Sequence, residues 1–273
     1  MIPKIIHYCW FGGNPLPELA LKCIASWKKY CPDYEIICWN ETNYSLDKKC
    51  IYVKEAYEEK KWAFVSDYAR LDIIYNHGGI YLDTDVELIS PLDDLLGEKC
   101  FLGIETSGYI ATGLGFGGEK NNLGIKKMLD EYKDIHFRID KDIFDTTPCP
   151  KRNTAPFLKD GFDGTSLKVQ YLQPATIYPP EFFCPLDYET KCMNITPNTK
   201  SIHHYGGMWI SDSDKKIEKL VESYEKNHGR IATFLYKNAL EFKLDEKQDN
   251  MNLYSFVIKK LKRKCLKIQG KLN

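Results

Sequence analysis

Apolar positions along the chain switch between two periods. Ile5, Ile6, Tyr8 and Trp10 form a short run that Pro3 opens and Gly12 and Gly13 close, which predicts a buried strand over 3–10. Over 17–30, Leu19, Cys23, Ile24 and Trp27 recur at helical spacing until Pro32 stops them. Residues 34–39 read as a second strand, so the chain opens β–α–β and predicts an α/β fold with a parallel sheet. Residues 61–77 are the strongest helix. Trp62, Phe64, Val65, Tyr68, Leu71, Ile73, Ile74 and Tyr75 surround most of its circumference, as in a buried helix. Gly78 and Gly79 end it. A short strand over 80–82 then leads into Asp83, Thr84 and Asp85, and extended chain follows over 86–89. Further on, the pattern predicts a strand over 100–105, a helix over 122–134, loops with short elements over 141–200, and helices over 212–243 and 250–269. The expected organisation is a catalytic domain over 1–210 and a helical extension over 211–273.

Composition narrows this picture. Hydrophobic residues at 43% with charged residues at 28% exclude a disordered chain of 273 residues and permit a sizeable core. The longest apolar runs are too short to span a bilayer, and the N-terminus does not read as a leader, so a cytoplasmic location is expected. Net charge is zero, yet 250–273 holds seven basic side chains and no acidic one. The remaining body therefore has an excess of seven acids, which argues against nucleic acid as a partner. In the tail, apolar positions 257, 261, 265, 268 and 272 recur at helical spacing among the lysines. That pattern suits a helix lying on an anionic membrane surface, placing the chain at the inner face of the plasma membrane. Ten cysteines without one C-x-x-C pair read as reduced thiols rather than a zinc ribbon or redox motif.

The candidate chemistry centres on Asp83 and Asp85. Two carboxylates one residue apart, just past a buried strand, stand at the carboxyl end of the sheet, where open α/β folds bind ligands. In extended chain they point to one side and can share a hard divalent cation, Mn2+ or Mg2+. A bare D-x-D is common, so context matters. The preceding helix carries Ser66, Asp67, Arg70 and Asp72 on an otherwise apolar surface, and Asp67 and Arg70 share a face. Buried charges persist where they pair or meet a ligand.

The pattern S-D-x-x-R over 66–70, then G-G-x-Y-L-D-x-D over 78–85, resembles the D-x-D sugar-binding region of family 32 glycosyltransferases. Those include mannosyltransferases and bacterial capsular polysaccharide enzymes, and the pattern is also similar to the glucosyltransferase domain of clostridial toxins. The opening Ile-Ile-His-Tyr-Cys-Trp-Phe-Gly-Gly of 5–13 and the His-His-Tyr-Gly-Gly-Met-Trp of 203–209 extend the resemblance. It implies a GT-A fold and transfer of a sugar from a UDP- or GDP-sugar to a glycan or lipid-linked acceptor, with retention of anomeric configuration. It also implies roles. Asp83, Asp85 and His204 would hold the metal, with His203 the weaker candidate. Asp67 and Arg70 would bind the donor sugar and ribose and, with the two aspartates, carry catalysis. His7, Trp10, Ser66, Tyr81 and Trp209 would complete the donor site, with Trp10 stacking on the base and Trp209 closing over the diphosphate. Gly207 stands where the family often has Ser. With no nucleophile evident, a front-face reaction is expected.

Three other classes compete. Gly113 to Gly118 formally fits the dinucleotide fingerprint G-x-G-x-x-G, but it lies far from the first β–α–β unit and equally suits a strand lining a cleft. A haloacid-dehalogenase-type phosphatase would put its D-x-D on the first strand and need a later Gly-Asp pair, which the chain lacks. A non-catalytic nucleotide-sugar or glycan-binding module is the main alternative, separated by metal-dependent nucleotide binding.

Overall fold

A computed structural model of the chain describes residues 1–140, 143–188 and 190–207. Its elements run β1 (Ile5–Cys9), α1 (Glu18–Tyr30), β2 (Glu35–Trp39), α2 (Ile51–Glu58), α3 (Trp62–His77), β3 (Gly79–Tyr81), β4 (Val86–Leu88) and β5 (Cys100–Gly103). Then follow β6 (Phe116–Gly118), α4 (Leu123–Asp130), β7 (Arg138–Asp140), β8 (Ile143–Phe144), α5 (Cys149–Leu158), β9 (Gln170–Tyr171), β10 (Thr176–Tyr178), α6 (Pro180–Phe183) and β11 (Ser201–His203). The expected extension over 211–273, with its basic tail, lies outside the described residues.

Seven strands form the main sheet in the order β2-β1-β3-β6-β5-β10-β9. β1 is parallel to β2 and β3, and β10 is parallel to β5. β6 is antiparallel to both of its neighbours, β3 and β5, and β9 is antiparallel to β10. Strands β1, β2, β3, β5 and β10 therefore share one direction. The expected α/β class with a mostly parallel central sheet is borne out. β4 and β11 pair separately as an antiparallel ribbon, with His203 opposite Val86.

Alternation along the strands divides the core in two. Ile6, Tyr8, Ile80 and Leu82 join Cys23 and Trp27 of α1 on one face. Cys9, Tyr81 and Phe116 join α2, α3 and α4 on the other. Trp27 is fully buried, and its indole N–H donates to Val86 O at 2.7 Å, tying α1 to the acidic segment. α3 buries Val65, Ala69, Leu71, Ile73 and Ile74, as its all-round apolar pattern requires. It stops at Gly78, where φ is +72°. Gly79 follows at φ +105°, and a Cβ there would lie 2.8 Å from both His7 Nε2 and Ile5 O, so only glycine lets β3 dock on β1.

Candidate functional site

The site grows from the carboxyl end of β3. There the chain turns, with Val86 N–H donating to Asp83 O at 3.0 Å. The two carboxylates converge through this turn rather than through the extended strand that the spacing suggested. His203 joins them from β11. One oxygen from each aspartate and one ring nitrogen of His203 lie within 4.8 Å of one another.

Among adjacent histidines of a strand, only one can face a given side, and here it is His203. Its Nε2 stands 3.3 Å from Asp85 Oδ1, and its buried Nδ1 has no hydrogen-bond partner. The expectation had put His204 in this place. His204 instead sets its Nε2 2.7 Å from Glu87, which also pairs with Lys22 at 2.9 Å. Its backbone N–H donates to Asp85 O at 2.9 Å. Two carboxylates and an imidazole with an unsatisfied buried nitrogen form a donor set that fits one divalent cation.

The same acids are electrostatically unlike. Burial pushes Asp83 up to about 6, with Arg70 opposing and Asp85 adding to the rise. Burial also works against ionised Asp85, but His203 and the backbone N–H of Gly206, 2.9 Å from its Oδ2, outweigh it and hold Asp85 below its ordinary value. Burial would lower His203, but the Asp85 carboxylate more than compensates, so His203 is raised.

Arg70 organises the other flank. Its side chain is 5% exposed. Nη2 donates to Asp67 Oδ1 at 2.7 Å, Nε to Ser66 O at 3.1 Å, and Nη1 lies 3.4 Å from Asp83 Oδ2. The guanidinium sits over the Tyr81 ring, 5.3 Å from its centroid, and Tyr81 Oη donates to Asp83 Oδ1 at 3.0 Å. Ser66, Asp67, Arg70, Tyr81 and Asp83 thus come together around one guanidinium, Ser66 through its carbonyl.

His7 is placed differently from its expected donor-binding role. It is fully buried, with Nε2 3.0 Å from Gly78 O and Nδ1 3.0 Å from the indole nitrogen of Trp39. Both ring nitrogens are used within the fold, and burial pulls the imidazole down to about 4, so it stays neutral. Trp10 sits half-buried just past β1, its indole N–H donating to Asn14 O at 2.6 Å. Trp209 lies outside the described residues.

Other participants escaped the sequence reading. Gly113 closes the site from the turn over 112–114: a Cβ there would lie 2.6 Å from Asp83 Oδ2 and 3.2 Å from Arg70 Nη1. The small residues of 113–118 were its only signal. Asn153 of α5 donates to Thr112 Oγ1 at 2.9 Å, and Thr154 Oγ1 accepts from Ile110 N–H at 2.8 Å, so α5 holds that turn in place. A cleft of about 400 Å3, lined by Phe11, the 41–46 loop and Tyr57, opens beyond the carboxyl ends of β1 and β2.

Residues 17–102 match the family described as "Glycosyltransferase sugar-binding region containing DXD motif". Over 121 residues the chain is 30% identical to inositol phosphoceramide mannosyltransferase 1 of Schizosaccharomyces pombe, covering 40% of this chain and 36% of that protein. Over 88 residues it is 42% identical to human alpha-1,4-N-acetylglucosaminyltransferase, covering 32% and 22%. The chain thus spans little more than a third, at most, of the length of these relatives. Among solved structures, the PaToxG glycosyltransferase aligns at a TM-score of 0.47 with 22% identity, over 58% of this chain and 69% of that one.

Proposed function

Starting from a glycosyltransferase sugar-binding region at residues 17–102, we propose that the chain is a metal-dependent glycosyltransferase. It moves a sugar from a UDP- or GDP-sugar to a glycan or lipid-linked acceptor in bacterial surface polysaccharide synthesis, with retention of configuration. The observation that carries this reading is the convergence of Asp83, Asp85 and His203 within 4.8 Å. The domain covers 1–210, and the enzyme works in the cytoplasm, held at the membrane surface by the basic tail over 250–273. No helix of the described residues is long and apolar enough to cross a membrane.

Asp83, Asp85 and His203 would hold Mn2+ or Mg2+. When bound, the cation neutralises charge that develops on the diphosphate as it leaves. The chain's own groups do the positioning. Gly206 N–H fixes Asp85, and Tyr81 Oη fixes Asp83. Arg70, locked by Asp67 and Ser66 O, presents a rigid cation beside Asp83. Asp67 and Arg70 bind the donor sugar, and Trp10, just past the carboxyl end of β1, stacks on the nucleobase. In a front-face reaction the acceptor hydroxyl approaches from the leaving-group side and passes its proton to the phosphate, so rate comes from orientation.

A thermal-shift panel of UDP- and GDP-sugars with Mn2+, and with chelator, tests the reading. A stabilisation by one donor that chelator removes is expected. Equal melting in every well would defeat it.

Mn2+ affinity should rise with pH. Asp83, titrating at about 6 without metal, must lose its proton to bind, and the raised His203 must be neutral. Each proton released makes binding about tenfold weaker per unit of pH below that group's pKa. Calorimetry between pH 5 and 8 checks this, and a constant affinity across the range would contradict it.

Gly113→Ala should lower transfer by about a hundredfold, because a displacement of Asp83 near 1 Å is costly at a reacting centre. Initial rates beside an unchanged circular dichroism spectrum measure it. Wild-type rates would show that the close approach of Gly113 has no functional weight.

A further inference from the structure

Two surface segments leave the site side by side. One is the turn over 105–109, which returns through Ile110 to the turn that carries Gly113. The other is the chain around His203, which continues into Tyr205. The Tyr205 ring meets the His203 ring edge-on, with centroids 4.2 Å apart. Its hydroxyl lies 3.0 Å from the buried Cys184 Sγ. Its backbone is held at φ +50°, a conformation that costs a non-glycine residue energy and that recurs at functional sites. The Tyr188 ring, 52% exposed, stands 5.1 Å from that of Tyr205. It is carried by the first of two paired segments, 185–188 and 190–194, where Asn194 N–H donates to Pro185 O at 2.8 Å and Asp187 N–H to Cys192 O at 2.9 Å. Glu105 and Asp187 both lie within electrostatic reach of the Tyr205 hydroxyl. Ser107 Oγ donates to Glu105, and Lys191 Nζ lies 4.2 Å from the Tyr188 centroid.

We infer that Tyr188, Tyr205 and Glu105 form the subsite that receives the acceptor, and that the group it holds is a saccharide ring. This rests on the glycosyltransferase reading above. An acceptor hydroxyl must come within bonding distance of a sugar held beside Asp83, and this rim is continuous with that place through His203. Its chemistry matches a pyranose. Aromatic faces, electron-rich at the centre, attract the C–H face of a sugar ring, while carboxylates accept from its hydroxyls.

Methyl α-glycosides of glucose, galactose, mannose and N-acetylglucosamine are the probes, with saturation-transfer NMR titrations on the full chain. Mn2+ with UDP or GDP is titrated on the same samples. At least one glycoside should bind the wild type. Tyr188→Ala should weaken it about tenfold and Glu105→Gln by a smaller factor, whereas Tyr188→Phe keeps it. Nucleotide binding should be equal in all four proteins. Glycoside binding that is absent from the wild type, or unchanged in Tyr188→Ala, overturns the subsite while leaving the donor reading intact if the nucleotide still binds. Glycoside binding that depends on Tyr188 without any nucleotide binding supports the saccharide site and removes the donor reading.

Discussion

Replacing Asp85 by Asn should abolish Mn2+ binding in calorimetry and reduce transfer about a thousandfold, the scale of losing a preorganised electrostatic group. Three features make this position decisive. Asp85 is the carboxylate held ionised, by His203 and by the backbone N–H of Gly206. It contacts the histidine that completes the donor set. It is also buried, so water replaces it poorly. The amide oxygen of Asp85→Asn can still accept from Gly206 N–H, so melting without metal should shift little. Asp83 should also titrate closer to an ordinary aspartate, because the neighbouring negative charge is gone. Undiminished transfer by this variant, or by the wild type in excess chelator, would remove the metal from the reaction.

The largest loss of stability is expected at Arg70→Met. The guanidinium is buried between Asp67 and Asp83 and is the cation paired with both. Removing it leaves two largely buried carboxylates without their shared ion-pair partner. Breaking a buried pair in this way costs about 3–5 kcal/mol. Urea denaturation measures it, and a loss under about 1 kcal/mol would mean that water reaches the acids freely. Asp67→Asn is the informative companion. It keeps an oxygen for Arg70, so it should be far less destabilising while still weakening the donor.

How much of this was legible depended on distance along the chain. β1, α1, β2 and α3 were readable because each carries its own period and its own stop signal, such as Pro32 or Gly78. Asp67, Arg70, Asp83 and Asp85 were readable because one helix and one turn present them within 19 consecutive residues. α2 carried no stop signal strong enough to separate it from a loop. The role of β6 was not legible, because a three-residue strand is placed by its neighbours β3 and β5 rather than by its own pattern. The choice between His203 and His204 depended on the register of β11 against β4, and a shift of one residue exchanges the two faces. His7 was expected at the donor site because it lies in the opening motif of 5–13 that carries the family resemblance. Its partners, Trp39 and Gly78, come from distant segments.

The position of β6 also governs the order of assembly on the ribosome. β3 carries the acidic turn, yet one edge of it is covered only when residues 116–118 arrive and run antiparallel to it. Until then the nascent chain presents an apolar open edge, the kind that pairs with other chains. His203 comes later still, 85 residues after Gly118, and lies opposite Val86, from which more than a hundred residues separate it. Closing so long a loop is slow and is rewarded only at the end. Synthesis therefore finishes the β3 edge first and the cation's donor set last, and a released fragment ending before 201 would be foldable in its sheet yet blind to metal.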